Sequence, residues 1–135
     1  MMLYLDNAAT TLKKPLSVYA TLFKSTLFSG GNAGRGGHKM SMDAVRAIVD
    51  TQDLIAQLFN IKKAENIVFT QNATYALNTA ILGTMSNGGH IVVTEMDHNS
   101  VLRPACLPGN YTVVKADKSG YVHAEDVEKA VRKDT

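Results

Sequence analysis

Two short polar segments carry the side chains best suited to chemistry, and each follows an apolar run typical of a strand. Asn72-Ala73-Thr74 comes after residues 66–70, and the turn 97–100, which contains His98, comes after residues 90–95. A hydroxyl and free N–H groups at a helix start can bind phosphate. Histidine titrates near neutral pH, so it can stack on a flat ligand ring or move a proton. Because ligands bind at the carboxyl ends of strands in open α/β sheets, the two turns predict a ligand crevice.

The same residues also fit purely structural roles. Thr74 could be the N-cap of the next helix, Asp97 could cap the helix behind it, and His98 could face solvent. The turn 72–74 lacks the glycines and lysine of a Walker A loop and the spacing of a dinucleotide-binding fingerprint. These two nucleotide-binding classes are therefore disfavoured, but the residues alone leave ligand binding and capping both open.

A glycine-rich segment, residues 29–38, is the third candidate for chemistry. It holds five glycines in ten residues together with Arg35 and His38. Such a loop could clamp an anion or reach a neighbouring subunit, or it could be a flexible surface loop. His38 and His98 have no third ligand at metal spacing, so no metal site is predicted. Cys106 lies between prolines in an apolar context and is predicted to be an inert, packed thiol.

The elements that position these residues follow from periodicity and turn chemistry. Ser41 is a plausible N-cap for a strongly amphipathic helix that ends near Asn60. Helices are also predicted at 15–28, 74–84, 99–103 and 124–133, and strands at 66–70, 90–95 and 111–116. Helix 99–103 is expected to stop near Pro104, and residues 117–120 to form a turn. Alternating strands and helices predict an α/β fold with a mostly parallel sheet in a single domain.

Composition excludes several classes of protein. The chain has 135 residues, a formal net charge of +2 and 45% hydrophobic residues, which suits one domain with a core but not nucleic-acid binding. A single cysteine excludes an internal disulfide, and no run approaches the roughly 20 apolar residues of a membrane span. The start lacks the features of a secretory signal, so we expect a cytoplasmic protein. Three strands make a thin sheet, and we expect the chain to be the first part of a larger domain.

Four motifs, in order and sensibly spaced, carry a resemblance that covers essentially the whole chain. They are Tyr4-Leu-Asp-Asn-Ala-Ala-Thr-Thr11 with Lys14-Pro15, Gly31-Asn-Ala-Gly-Arg-Gly-Gly-His38, Ile67-Val-Phe-Thr-Gln-Asn-Ala-Thr74 with Leu77-Asn78, and Thr94-Glu-Met-Asp-His-Asn-Ser100. Together they resemble the amino-terminal third of class V aminotransferase-like enzymes, and most closely cysteine desulfurases. The resemblance implies a fold-type I large domain that binds pyridoxal 5'-phosphate, here incomplete.

The resemblance also implies roles for particular residues. Ala73 and Thr74 match the phosphate-binding turn, and His98 matches the catalytic histidine that stacks on the pyridine ring. The usual Thr-Glu of that turn is Thr74-Tyr75 here, a departure from the desulfurase pattern. The remaining matches are to the substrate pocket and the loop near it: Asn7, Ala8, Ala9, Arg35 and His38.

The resemblance further implies the activity and partners of a full-length enzyme. Such an enzyme would convert cysteine to alanine with transfer of sulfur to an enzyme cysteine, act as a homodimer, and pass sulfur to an acceptor protein. No lysine here matches the one that carries the cofactor, and Cys106 does not match the sulfur-carrying cysteine. The 135-residue chain alone is therefore expected to be inactive. Alternatives are another class V enzyme (a transaminase, epimerase or selenocysteine lyase) or a stand-alone binding module.

Overall fold

The computed structural model describes residues 3–8 and 10–135. Contacts divide the chain into two compact units, Met1–Ile67 and Val68–Thr135. Each unit has its own secondary structure and its own candidate residues. Within the described residues, no helix is long and apolar enough to cross a membrane.

The first unit is helical. Helix α1 spans Leu16–Phe28 and helix α2 spans Lys39–Leu58, and a short 3₁₀ turn follows at Ala64–Asn66. Helix α1 starts directly after Pro15, which fixes a backbone angle compatible with a helix start. The predicted helix 15–28 is thereby confirmed. Helix α2 ends before Asn60, whose positive φ of 53° closes the turn that follows.

The start of helix α2 differs from the prediction. His38 is the N-cap, and its Nδ1 accepts a hydrogen bond from the Ser41 backbone N–H at 3.3 Å. Ser41 is instead fully buried under the glycine-rich loop. Its Oγ lies 2.7 Å from the carbonyl oxygen of Asn32, 2.9 Å from that of Gly36 and 3.3 Å from that of Arg35. One hydroxyl thus organises a loop that sequence reasoning treated as flexible.

The predicted strand at 66–70 is not formed. Residues 67–70 have no regular structure, and no described strand pairs with them. The Ile67 carbonyl accepts a hydrogen bond from the Gln52 side chain at 2.7 Å, which takes the place of a strand neighbour. The run is rich in residues that favour strands, but a strand forms only where a neighbouring strand pairs with it through backbone hydrogen bonds.

The second unit contains a βαβ arrangement. Strand β1 spans Ile91–Thr94, helix α4 spans Asn99–Cys106, and strand β2 spans Tyr111–Val114. The strands are parallel and pair Ile91 with Tyr111 through Thr94 with Val114. Helix α3, Ala73–Met85, precedes β1 and packs mainly against α4, and helix α5, Ala124–Ala130, follows β2. The α/β class and the parallel sheet are confirmed.

Two helix ends in this unit differ from the prediction. Helix α4 continues through Pro104 to Cys106, although Pro104 was expected to stop it. Pro104 has no N–H to give to the carbonyl of Ser100, one turn earlier, yet the ring is fully buried and its packing retains it in the helix. Helix α5 ends at Ala130 rather than 133.

The residues after α5 fold back against β1. The Asp134 carbonyl accepts from the His90 N–H at 2.9 Å, and the Thr135 hydroxyl lies 2.8 Å from His90 Nδ1. The other ring nitrogen of His90 lies 2.8 Å from the Thr112 hydroxyl. The buried His90 is therefore hydrogen-bonded at both nitrogens and ties β1, β2 and the last residues together.

The buried apolar side chains of this unit lie around the two strands. Val93 and Val114 sit on β1 and β2, and Ala105 of α4 and Met85 of α3 are also buried. After β2 the predicted turn forms around Asp117, whose carboxylate accepts from the Ser119 hydroxyl and from the backbone N–H groups of Ser119 and Tyr121. These bonds lower the pKa of Asp117 to about 2, so the turn holds a charged carboxylate at neutral pH.

We predict that Ser41→Ala destabilises the first unit by about 1–3 kcal/mol, because it removes the buried hydroxyl donor that the carbonyl oxygens of Asn32 and Gly36 face. Thr51→Ala is the matched control in the same helix, since the exposed Thr51 hydroxyl donates only to the Ala47 carbonyl. That control should change stability by about 0.5 kcal/mol or less. Urea denaturation measures both variants. Equal effects of the two substitutions would contradict the role assigned to Ser41.

Candidate functional site

The start of helix α3 is capped by Asn72, not by Thr74. Asn72 Oδ1 accepts from the Tyr75 N–H at 3.0 Å, and the Asn72 carbonyl accepts from the Ala76 N–H at 3.2 Å. A helix start leaves its first N–H groups without intrahelical acceptors. Among the described residues, the N–H groups of Ala73 and Thr74 have no acceptor. The purely capping role weighed for Thr74 is therefore wrong.

The start of helix α4 is capped by His98. Its Nδ1 accepts from the Ser100 N–H at 3.1 Å and lies 2.9 Å from the Ser100 hydroxyl oxygen. Asp97 has a different role from the helix cap considered above. Its Oδ2 accepts from the Thr94 N–H at 2.7 Å and lies 3.1 Å from the Thr94 hydroxyl oxygen. Asp97 thus closes the turn at the end of β1, and this turn sets where His98 sits.

The two helix starts line one cleft of about 370 Å³. Its lining residues are Thr74, Asn78, His98, Asn99, Ser100 and Arg103. Asn78 donates from its side-chain amide to the Thr74 carbonyl at 2.8 Å, which fixes the wall on the α3 side. The structure therefore brings Thr74 and His98 to the same cavity, 24 positions apart in sequence.

The electrostatics of this cleft favour an anion. Among the residues that the structure describes, Arg103 is the only charged one in its lining, and no carboxylate lines it. The starts of α3 and α4 both contribute the positive end of a helix dipole. Asp97, next to His98 in sequence, is bonded to Thr94, and Glu95 is also engaged elsewhere: its carboxylate accepts from Lys115 Nζ at 3.0 Å and from the Ala116 N–H at 2.7 Å. These contacts hold the pKa of Glu95 below its usual value.

The other predicted site residues lie in the first unit. Asn7 lines a cavity of about 240 Å³ together with Tyr4, Thr11, Leu12 and Lys13. Ala8 is exposed in the turn that Asn7 begins, and Ala9 lies outside the described residues. The segment is held locally, since Lys14 Nζ donates to the Thr11 carbonyl at 2.8 Å.

Arg35 and His38 lie in the glycine-rich loop, and both are exposed. The Arg35 backbone carbonyl faces the Ser41 hydroxyl, and the His38 ring caps helix α2. His38 therefore has a structural task that the sequence did not indicate. The Arg35 guanidinium forms no ion pair with any residue that the structure describes.

Cys106 differs from its predicted packing, because the side chain is exposed at the end of α4. Hydrogen bonding to the neighbouring Cys106 sulfur raises the pKa of the Tyr111 phenol. The helix continues past Pro104, and this carries Cys106 to the surface. In residues 3–8 and 10–135, no three His, Cys, Asp or Glu side chains cluster in a way that could hold a metal ion.

Sequence reasoning assigned no role to four of the residues that line the cleft, namely Asn78, Asn99, Ser100 and Arg103. Asn78 lies one helical turn after Thr74, so the helical period could have placed it on the same face. Ser100 belongs to the predicted turn but was not singled out. Arg103 lies in the second turn of α4, immediately before Pro104, where the helix was expected to stop.

The sequence of nearly the whole chain matches a known protein family. The family model described as Aminotransferase class-V matches residues 3–135. The chain belongs to this family. A probable cysteine desulfurase of Aeropyrum pernix is 39% identical over 105 residues, which is 75% of this chain and 25% of that protein. The chain spans about a quarter to a third of the length of the curated relatives that it matches.

Two solved structures of similar fold support the same family. A NifS-like protein matches with a TM-score of 0.84 and 25% sequence identity, over 99% of this chain and 38% of that one. A structure of SspA in complex with cysteine matches with a TM-score of 0.83 and 26% identity, over 97% of this chain and 39% of that one. The fold of this class-V family member is therefore that of part of a NifS-like protein.

We predict that Asn72→Ala destabilises the second unit by about 0.5–2 kcal/mol, because it removes the side-chain cap of α3. Thr74→Ala is the matched comparison. It lies two positions away, and its hydroxyl has no partner among the described residues. The Thr74 variant should keep stability within about 0.5 kcal/mol. Thermal and urea unfolding measure both. A larger loss in the Thr74 variant would reverse this division of roles.

Proposed function

We propose that this chain is the amino-terminal part of the cofactor-binding large domain of a cysteine desulfurase that depends on pyridoxal 5'-phosphate. The observation that carries the proposal is the cleft shared by Thr74 and His98. It combines an open helix start with a flat, titratable ring. Such an arrangement suits a ligand that has a phosphate at one end and an aromatic ring at the other.

The residues at the start of α3 fit the phosphate. The N–H groups of Ala73 and Thr74 lack protein acceptors, and the Thr74 hydroxyl has no described partner. These N–H groups and this hydroxyl must therefore form their hydrogen bonds with solvent or with a ligand. Three donors at the positive end of a helix dipole suit an anion. Arg103, which lines the same cleft, adds the only positive side chain.

His98 fits the ring of the same cofactor. Its imidazole lines the cleft, and the cap to Ser100 holds one edge of it. A flat imidazole held in this way can cover one face of a pyridine ring and can hold or move a proton at Nε2. When bound, pyridoxal phosphate supplies the electron sink that allows bonds at an amino acid to break.

The substrate class and partners follow from relatives rather than from this cleft alone. The curated relatives are described as cysteine desulfurases, and one structural neighbour was solved in complex with cysteine. We propose cysteine as the substrate, with sulfur passing to an enzyme cysteine and then to an acceptor protein, in a homodimer. Asn7, Ala8, Ala9, Arg35 and His38 are proposed as substrate-pocket residues of the full-length enzyme.

We predict that inorganic phosphate and pyridoxal 5'-phosphate both shift the backbone amide signals of Ala73 and Thr74 in NMR titrations. Thr74→Ala should weaken phosphate binding by about tenfold or more. A hydrogen bond to a charged group contributes about 1.5–3 kcal/mol, and about 1.4 kcal/mol corresponds to tenfold.

Thr79→Ala is the matched control for this titration. The Thr79 hydroxyl lies on the same helix but donates to the Tyr75 carbonyl at 2.8 Å. That variant should bind phosphate like the parent chain. If phosphate leaves residues 73 and 74 unchanged and shifts other amides instead, the proposed cofactor site is wrong.

A second prediction concerns the lysines. No lysine lines the cleft in the part of the chain that the structure describes, so none is placed to hold the cofactor covalently. Borohydride treatment after incubation with pyridoxal 5'-phosphate should therefore label several exposed lysines at low occupancy. Peptide mapping by mass spectrometry makes the measurement. One lysine labelled stoichiometrically would overturn the expectation that this chain alone is inactive.

A further inference from the structure

The hydrogen bonds of His98 determine more than the position of its ring. Its Nδ1 accepts from the Ser100 backbone N–H at 3.1 Å. A backbone N–H is always a donor, so Nδ1 must present a lone pair and carry no proton. In the neutral ring the single proton then resides on Nε2. The Ser100 hydroxyl, 2.9 Å from the same nitrogen, can add a second donor to Nδ1.

The first turn of α4 depends on this cap. The N–H groups of Val101 and Leu102 both donate to the His98 carbonyl, at 2.8 and 3.2 Å. Pro104 has no N–H to donate to the Ser100 carbonyl, so one bond that would join the first turn to the second is missing. The first turn is thus joined to the second by one bond fewer, and the side-chain bond from His98 is among those that hold it; a change of tautomer would remove this bond.

The other edge of the ring is available to a ligand. Within the described residues, Nε2 of His98 has no hydrogen-bond partner, while the ring lines the cleft. Arg103 on the same helix is the one ionisable neighbour in that lining, and Thr74 and Asn78 on the α3 side carry no titratable group. Nothing in the lining of the cleft offers a carboxylate that would favour a different proton position.

We infer that Ser100 is a positioning residue that holds His98 as the Nε2–H tautomer, so that the ring offers the cleft a proton donor and not a base. This role in the cleft rests on the proposed function, whereas the tautomer can be measured without any cofactor. The neutral ring can accept a proton only at Nδ1, and it must give up the helix cap to do so.

The test is NMR on the ¹⁵N-labelled chain without added ligand. We expect a scalar coupling through the hydrogen bond between Ser100 N and His98 Nδ1, and ring nitrogen shifts that place the proton on Nε2. A proton on Nδ1, or the absence of that coupling, would overturn the inference.

Two variants separate the backbone donor from the hydroxyl. Ser100→Ala keeps the N–H and should retain the coupling and the Nε2–H tautomer. Ser100→Pro removes the N–H at a position in the first turn where proline is tolerated, and should leave His98 Nδ1 free of its donor. If the alanine variant loses the tautomer, the backbone N–H is not what fixes it.

The His38 ring is an internal reference, because its Nδ1 accepts from the Ser41 N–H at 3.3 Å in the first unit. Its nitrogen signals should not change in either Ser100 variant. Addition of pyridoxal 5'-phosphate tests the proposed role in the cleft separately. The proton should remain on Nε2, and its NMR signal should shift. A proton that moves to Nδ1 would overturn the inference, whereas a complete lack of response at Thr74 and His98 would overturn the proposed function and leave the tautomer intact.

Discussion

The free N–H groups at the start of a helix are the constraint on which this structure depends. Three helices begin with a side-chain acceptor, supplied by His38, Asn72 and His98. Each of these residues belongs to a segment that the sequence marked as functional. Capping uses one atom of each residue and so fixes which atoms remain for a ligand. At α3 the remainder is two N–H groups, and at α4 it is one edge of a ring.

Sequence reasoning succeeded where structure is local. The helical period and the polar turns predicted α3 and β1, because these depend on neighbours along the chain. The approach of Thr74 to His98, which are 24 positions apart, was predicted from the general rule that ligands bind at strand ends in open α/β sheets. It failed where the deciding partner is distant. The run 66–70 has strand composition, but its carbonyl partner is the side chain of Gln52, 15 residues earlier. Similarly, the Ser41 hydroxyl lies against the carbonyls of Asn32 and Gly36, and these carbonyls reach it only once the loop has folded.

The candidate cleft is supported by a small core rather than by a wide sheet. Two parallel strands and the buried Val93, Val114 and Ala105 hold the end of β1, from which the turn to His98 departs. The last residues strengthen the opposite, amino-terminal end of β1, since His90 is bonded to both Thr112 and Thr135. Helix α1, by contrast, buries none of its residues in the described chain. Hydrogen bonds at both ends of β1 thus support the site alongside apolar burial.

The packing of Ser41 beneath the glycine-rich loop makes the glycines of that loop unequal. A Cβ at Gly31 would lie 2.4 Å from the backbone carbonyl of Met40, and no side-chain rotation could relieve that contact. Gly36 has a φ of 106°, a backbone angle that residues other than glycine rarely adopt. At Gly37, however, a Cβ would meet nothing within 4 Å. Side chains are therefore tolerated at some glycines of this loop, such as Gly37, and not at others, such as Gly31. The composition of the segment does not distinguish these positions.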